Sequence, residues 1–416
     1  MVILATGNAK SQPMHLNLIA FAVPLFLLFM GIEYLMAQRK KKHIHRFNES
    51  IANLNVGIAE RLTDLLTTGA FFFLYVWLNK NFSFLNIPAT PLTWFLLFLA
   101  TDLVWYWYHR FAHEVNLFWS VHVVHHQSED FNYTVSGRIT ILQALVRGSF
   151  WAILPIIGFP AHMIAILLLI HGAYPFFTHT QMIGKLGWLE YIFVTPSHHR
   201  VHHSCNPQYL DKNYGDVLIV WDKLFGTFKK EEETPDYGLT KPLNSYSFLW
   251  QHFHFLLEMG VAFRRAKGIK QKLKVLFGKP DDIDPRIRAS LERKLSFRNQ
   301  QLVLNRNLRR FIRIQTVLTL LILFFVILFS HYLLPRQLVF FALFILLSLI
   351  NTGAMLEQRS WVFSIDYVRL GLVGIIIHSF YPGIMFTTIF CMGMFLVLVF
   401  YRTLNNYYSR FFYNYS

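Results

Sequence analysis

Long apolar runs alternate with short polar ones along this chain, a rhythm rarely seen in soluble domains. Runs approaching the roughly 20 residues that cross a bilayer core fall near 16–36, 60–79, 92–108, 312–333, 337–356, 362–379 and 384–401. Residues 140–178 read as a hairpin or re-entrant pair, and about 179–310 turn polar. The pattern predicts an all-α fold: a multi-pass transmembrane helical bundle with a histidine-rich cap. The first run, Leu16 to Leu35, is too long for the apolar stretch of a leader. Its basic cluster follows it and no small-residue cleavage site appears, so a retained anchor is expected.

Composition agrees, with 54% hydrophobic, 17% aromatic and only 15% charged residues in 416. A net charge of +16 raises the question of nucleic acid. The basic residues, however, flank apolar runs at Arg39–Lys42, Arg264–Lys274 and Arg306–Arg313. Anionic lipid and the positive-inside rule explain them, and no nucleic-acid partner is expected. The same rule puts RKKKHIHR, NRNLRRFIR and YRTLNNYYSR in the cytoplasm, across an endoplasmic reticulum or bacterial inner membrane. The second and third runs then deliver His109 to that side, and the 140–178 hairpin returns to it.

Four regions follow: anchor helices over 1–90, a catalytic core over 91–245, a cytoplasmic or interfacial segment over 246–310 and a C-terminal helical block over 311–416. Within the third, WQHFHFLLEMGVAFRRAKGIKQKLKVLF reads as an interfacial helix or a packed cytosolic one. The fourth offers no motif, and Asp366 is the one intramembrane charge that stands out in it. The two cysteines, Cys205 and Cys391, support neither a disulfide framework nor a thiolate zinc site.

The chemistry lies in the histidines. Of 19, five fall between 109 and 126 and four between 198 and 203. In HRFAH, His109 and His113 stand four apart and share a helix face. HVVHH places His122, His125 and His126 at offsets of three and four, and HRVHH repeats this with His199, His202 and His203. Eight neutral imidazoles fill most positions around two five- or six-coordinate ions and leave room for oxygen. His179, in PFFTHTQ, emerges near the same depth, and His198 stays open between ligand and outward hydrogen bond. His113-Glu114 opens like a zinc-protease motif, but Leu117 stands where the second histidine is required. Asp102, two turns before His109 in an apolar run, is a candidate outer acceptor for a metal-bound imidazole. Glu114 is another; Glu129, Asp130, Arg138 and Lys212 are weaker candidates.

The three ordered boxes resemble the fatty acid hydroxylase and sterol desaturase superfamily. Within it, DLVWYWYHRFAHEVN, HHQSEDFNYT, FTHTQMIGKLGWLE, TPSHHRVHH and DKNYGDVLIVWDKLFGTF are similar to the alkylglycerol monooxygenase family. The resemblance implies a membrane di-iron centre on the eight box histidines, with His179 matching a further family histidine and Glu114 the family's His-Glu pair. It also implies cleavage of an ether lipid by oxygen and tetrahydrobiopterin: hydroxylation beside the ether oxygen gives a hemiacetal, which collapses to a fatty aldehyde and a glycerol derivative. Lys241, in YGLTKPLN, departs from the histidine expected there.

Attack on an unactivated carbon–hydrogen bond needs a redox metal, which favours iron over zinc. Trp105, Trp107 and Tyr108 are candidate walls for an alkyl chain. The partners expected are therefore a membrane lipid, O2 and an electron donor, either a reduced pterin or a redox protein. Two alternatives stand beside this reading. One is a sterol, fatty acid or carotenoid hydroxylase or desaturase on the same metal core; the other is a metal transporter or metal-binding protein, against which the clusters sit at span ends.

Overall fold

The computed structural model describes residues 16–295 and 303–413. The start of the expected anchor region, part of the interfacial segment and the last three residues lie outside the described residues. Three helices open the fold: α1 (Ala22–Arg39), α2 (Phe47–Phe82) and α3 (Pro91–Glu114). Pro91 occupies the first turn of α3, and the Thr90 hydroxyl accepts a hydrogen bond from Thr93 N at 3.3 Å. This proline-plus-cap start sets where α3 begins. Short helices α4 (Asn116–His122) and α5 (Tyr133–Ser136) follow. The expected hairpin consists of α6 (Gln143–Trp151) and α7 (Ile153–Ile157) on one arm and α8 (Ala161–Thr178) on the other. Gly158 turns between the arms with φ +128, where any Cβ would collide with the Leu85 carbonyl.

Over the cap run α9 (Pro196–His202), α10 (Val220–Leu224), α11 (Phe248–Arg265), α12 (Gly268–Phe277) and α13 (Arg286–Lys294). The chain ends in α14 (Arg306–Leu328), α15 (Pro335–Leu356), α16 (Val362–Phe380), α17 (Ile384–Val399) and α18 (Tyr401–Tyr413). Among the described residues there is no strand, only two isolated bridges. Among the described residues, six helices are long and apolar enough to cross a membrane: α1 with the turn before it, α2, α8, α14, α15 and α16. With the family assignment below, this makes the protein an integral membrane protein.

Three elements depart from the expected spans. The second span was expected over 60–79, yet α2 has 36 residues, about 54 Å at 1.5 Å each. Its first half buries Glu49, Asn53, Asn55 and Glu60, which lower the local hydropathy; Glu49 and Asn53 find partners in the fold. Asn53 Nδ2 donates to Ser128 Oγ at 3.2 Å and Thr134 Oγ1 at 3.0 Å, and Glu49 accepts from Ser128 Oγ at 3.1 Å. The third run becomes the 24-residue α3, which is not among the six. The last run breaks into α17 and α18, which meet at 75°.

The C-terminal block also corrects the view of Asp366 as its lone charge. Arg369, one turn on in α16, donates to Asp366 Oδ1 at 2.6 Å and to Gln315 Oε1 of α14 at 2.9 Å. Asn351 of α15 and Tyr408 of α18 complete the contacts of Asp366. In the interfacial segment, α11 buries Trp250, His252, His254 and Phe255. By contrast α12 leaves Ile269, Leu273 and Phe277 exposed on one face, with Lys270, Lys272 and Lys274 interleaved. In this segment α11 is thus the packed helix, whereas α12 keeps an exposed apolar face.

Candidate metal centre

All nine expected histidines converge at one end of α3. His109 and His113 come from its last turns, His122 ends α4, and His125 and His126 occupy the 3-10 turn after it. His179 caps the end of α8, where Pro175 sits in the last turn. His199 and His202 lie on α9 and His203 follows it, behind the Thr195-Pro196 start. The nine fall into two groups, each with ligand atoms within 4.8 Å of one another: His109, His113, His122, His126 and His202; and His125, His179, His199 and His203. His203 joins them, its ring 4.4 Å from that of His126 and 4.5 Å from that of His125.

The nitrogens reveal what the pockets suit. Nε2 of His109 is 3.1 Å from Nε2 of His122, which is 3.2 Å from Nε2 of His126. In the second group, Nε2 of His179 is 3.2 Å from that of His125 and 2.9 Å from that of His199. The opposite ring nitrogen faces a backbone carbonyl in four cases: His109 with Tyr214, His125 with Arg138, His179 with Pro175 and His202 with Lys212, at 2.6 to 3.2 Å. A carbonyl only accepts, so each of these Nδ1 atoms carries the proton and each Nε2 turns a lone pair inward. Nε2 of His113, His202 and His203 is buried with no protein partner. Burial first, then neighbouring imidazoles, holds His122, His126, His199, His202 and His203 well below the ordinary histidine value. Neutral rings with converging lone pairs form a donor set for cations, and two groups fit two ions.

The other candidates sit elsewhere. Asp102 does not accept from His109; it takes N–H groups from Val217 at 3.0 Å, Leu218 at 3.1 Å and the Trp221 indole at 2.9 Å. Glu114 pairs with Arg110 at 3.0 Å on a half-exposed face of α3, outside both groups. His198 accepts from Thr195 N in the α9 cap. Arg138 is buried, donating to Val124 O, Asn53 and Gln127. Glu129 and Asp130 hold Arg46, and with Cys205, Asp236 and Tyr237 they line an open cavity of about 530 Å³. Phe131 separates it from the rings, stacked on Tyr237 at 4.8 Å and on His179 at 5.6 Å. Trp105 and Tyr108 pack on Trp151, whereas Trp107 packs on Phe225.

Sequence reasoning missed His171 and Asp216, which join Asp102 in a third buried group. They stand 45 residues apart with no shared motif, so only the fold pairs them. Missed too was the role of DKNYGD as a source of carbonyls. Asp211 and Asn213 adopt φ of +56 and +57, a conformation that Asp and Asn tolerate best among residues with a side chain.

Comparison with known proteins gives the centre its context. The fatty acid hydroxylase family matches residues 94–227, the stretch that carries all nine histidines of the two groups. The alkylglycerol monooxygenase of Homo sapiens is 34% identical over 345 residues, covering 81% of this chain and 77% of its own. That of Danio rerio is 32% identical over 385 residues, covering 90% and 84%. An ornithine lipid hydroxylase of Rhizobium tropici is 31% identical over 138 residues, 32% of this chain and 42% of its own. No solved structure matches. The shared region extends well beyond the histidine core in the first two, and the chain therefore belongs to the alkylglycerol monooxygenase family of membrane lipid monooxygenases.

Proposed function

We propose that the nine histidines hold two iron ions and that the enzyme cleaves the ether bond of alkylglycerol lipids. The observation that carries this reading is the pair of imidazole groups with inward lone pairs, seen together with the likeness to an alkylglycerol monooxygenase over 81% of the chain. Bound iron supplies the one-electron and O2 chemistry that no side chain offers. The chain's own residues fix the geometry. Carbonyls of Tyr214, Lys212, Arg138 and Pro175 lock ring orientation, and burial of the rings keeps them neutral and limits access by water. Hydroxylation of the carbon beside the ether oxygen yields a hemiacetal, which releases a fatty aldehyde and a glycerol derivative.

In this reading the electron donor is a reduced pterin, and the carboxylate-lined cavity beyond Phe131 is where its polar edge would meet Glu129 or Asp236. The histidines face the cytoplasm, on the side of the basic loops. The test uses anaerobically purified protein in detergent, loaded with iron, given an alkylglycerol, O2 and tetrahydrobiopterin. Fatty aldehyde is expected, with none from His125→Ala. Activity without iron, or an unaffected His125→Ala, would overturn the proposal. Aldehyde that forms only with a protein reductant would remove the pterin alone.

A further inference from the structure

One short loop serves the five-histidine group. From Asp211 to Tyr214 it presents the Lys212 carbonyl to His202 at 3.0 Å and the Tyr214 carbonyl to His109 at 2.8 Å. An Asp211 carboxylate oxygen stands 3.7 Å from His113 Nδ1. Three of the five rings thus take their outer contact from four consecutive residues. In the four-histidine group the corresponding acceptors are Arg138 and Pro175 carbonyls, from elsewhere in the chain.

Asp222 of α10 holds the loop at Tyr214 N and Gly215 N, at 2.7 and 2.8 Å, and two further helices hold the residues that follow it. Asp102 of α3 takes the N–H groups of Val217 and Leu218 and the Trp221 indole. His171 of α8 stands 2.5 Å from Asp216 and 3.7 Å from Asp102, its Nδ1 facing both carboxylates. All three side chains are at most 1% exposed. At 2.5 Å the His171–Asp216 pair is bridged by a proton, with no space for an ion between the two atoms. Asp102 lies two turns from His109 on one rigid helix, so its grip on the loop and the His109–Tyr214 contact are spaced by α3 itself.

We propose that Asp102, His171 and Asp216 form a positioning clamp that sets the hold on one metal, the ion of the five-histidine group, and leaves the other untouched. The proposal rests on the di-iron reading above. Loosening the clamp removes the hold on residues 216–218 and so weakens the aim of the loop's carbonyls; loss of such outer partners costs about 10- to 100-fold in metal affinity.

The experiment measures iron content and the rate of iron transfer to a ferrous chelator, using full-length protein in detergent. Wild type is expected to hold two equivalents and release both slowly; fewer than two would defeat the di-iron reading itself. His171→Leu keeps bulk but removes the hydrogen bond. It is expected to release one equivalent about 10- to 100-fold faster while the second keeps its wild-type rate. His171→Asn, whose amide can still donate to Asp216, is expected to restore slow release. Should the leucine variant fail to fold, Asp216→Ala removes the acceptor instead and gives the same readout, with the same single fast equivalent expected. Acceleration of both equivalents together, acceleration of neither, or an asparagine variant no better than leucine would overturn the clamp.

Discussion

In the core between residues 91 and 245, short helices and turns bury polar groups. In the block from 306 to 413, long helices turn apolar side chains outward. α4 and α9 have seven residues each and carry buried histidines, while α14 and α15 have 23 and 22. The block exposes Ile384 at 89% and Met385 at 74%, which is ordinary for a surface whose solvent is hydrocarbon. It concentrates polarity in the Gln315, Asn351, Asp366 and Arg369 network. The contrast is one of dependence: the core's polar groups specify a reactive centre and fix one another, whereas the block's network joins helices that lipid already holds upright.

That contrast can be tested by graded substitutions. The largest effect is expected at Asp222, which accepts from Tyr214 N at 2.7 Å, Gly215 N at 2.8 Å and Thr227 Oγ1 at 2.7 Å. Asp222→Ala leaves the two buried backbone donors unmet, at about 1 to 3 kcal/mol each, while Thr227 keeps the Tyr106 hydroxyl as a partner. Thermal unfolding in detergent should show a collapse of stability or loss of folded protein. An unchanged midpoint would mean that the core is not held by its polar contacts.

An intermediate effect is expected from acid. Burial pushes His252 down to about 4 and His254 down to about 3, from an ordinary 6.5. A depressed folded value means that the unfolded chain takes up protons first. Stability from these groups is therefore complete above pH 6.5 and falls as pH drops toward 4 and 3, by up to about 1.4 kcal/mol per unit and group. Metal-free protein should lose thermal stability over that window and show little change between pH 7 and 8. A midpoint that rises on acidification would reverse the assigned sign.

The smallest effect belongs to the C-terminal block. Asp366→Asn keeps shape and some hydrogen bonding while removing the charge opposite Arg369. A cost of about 0.6 to 2 kcal/mol is expected, as for other interhelical polar contacts in membranes, with iron content unaltered. If it matched Asp222→Ala, or emptied the metal groups, the contrast between the regions would not stand.

The sequence made the metal groups legible because offsets of three and four are local geometry, which helices honour wherever they pack. His179 was legible only through its likeness to a family histidine and its depth. Less accessible was everything that depends on distant partners. Asp102 shares a face with His109, yet three N–H groups from residues 217–221 outcompete a ring on its own helix. The lower half of α2 hid behind Glu49 and Asn53, whose burial makes sense only beside Ser128 and Thr134. Arg369 escaped notice because a cation inside an apolar run is rare, and its acceptors lie on α14 and α16.

Alternate left-handed residues at Asp211 and Asn213 have a consequence for how this chain can vary. Their conformations aim the carbonyls of Lys212 and Tyr214 at separate rings, so the count of residues between His202 and Asp216 acts as a ruler. Exposed connections elsewhere can take an extra residue at small cost. Here a single insertion would misdirect both oxygens at once, and a β-branched residue at 213 would resist the required backbone. The stretch from 211 to 216, buried from Asn213 on, is thus a segment where length itself is under constraint.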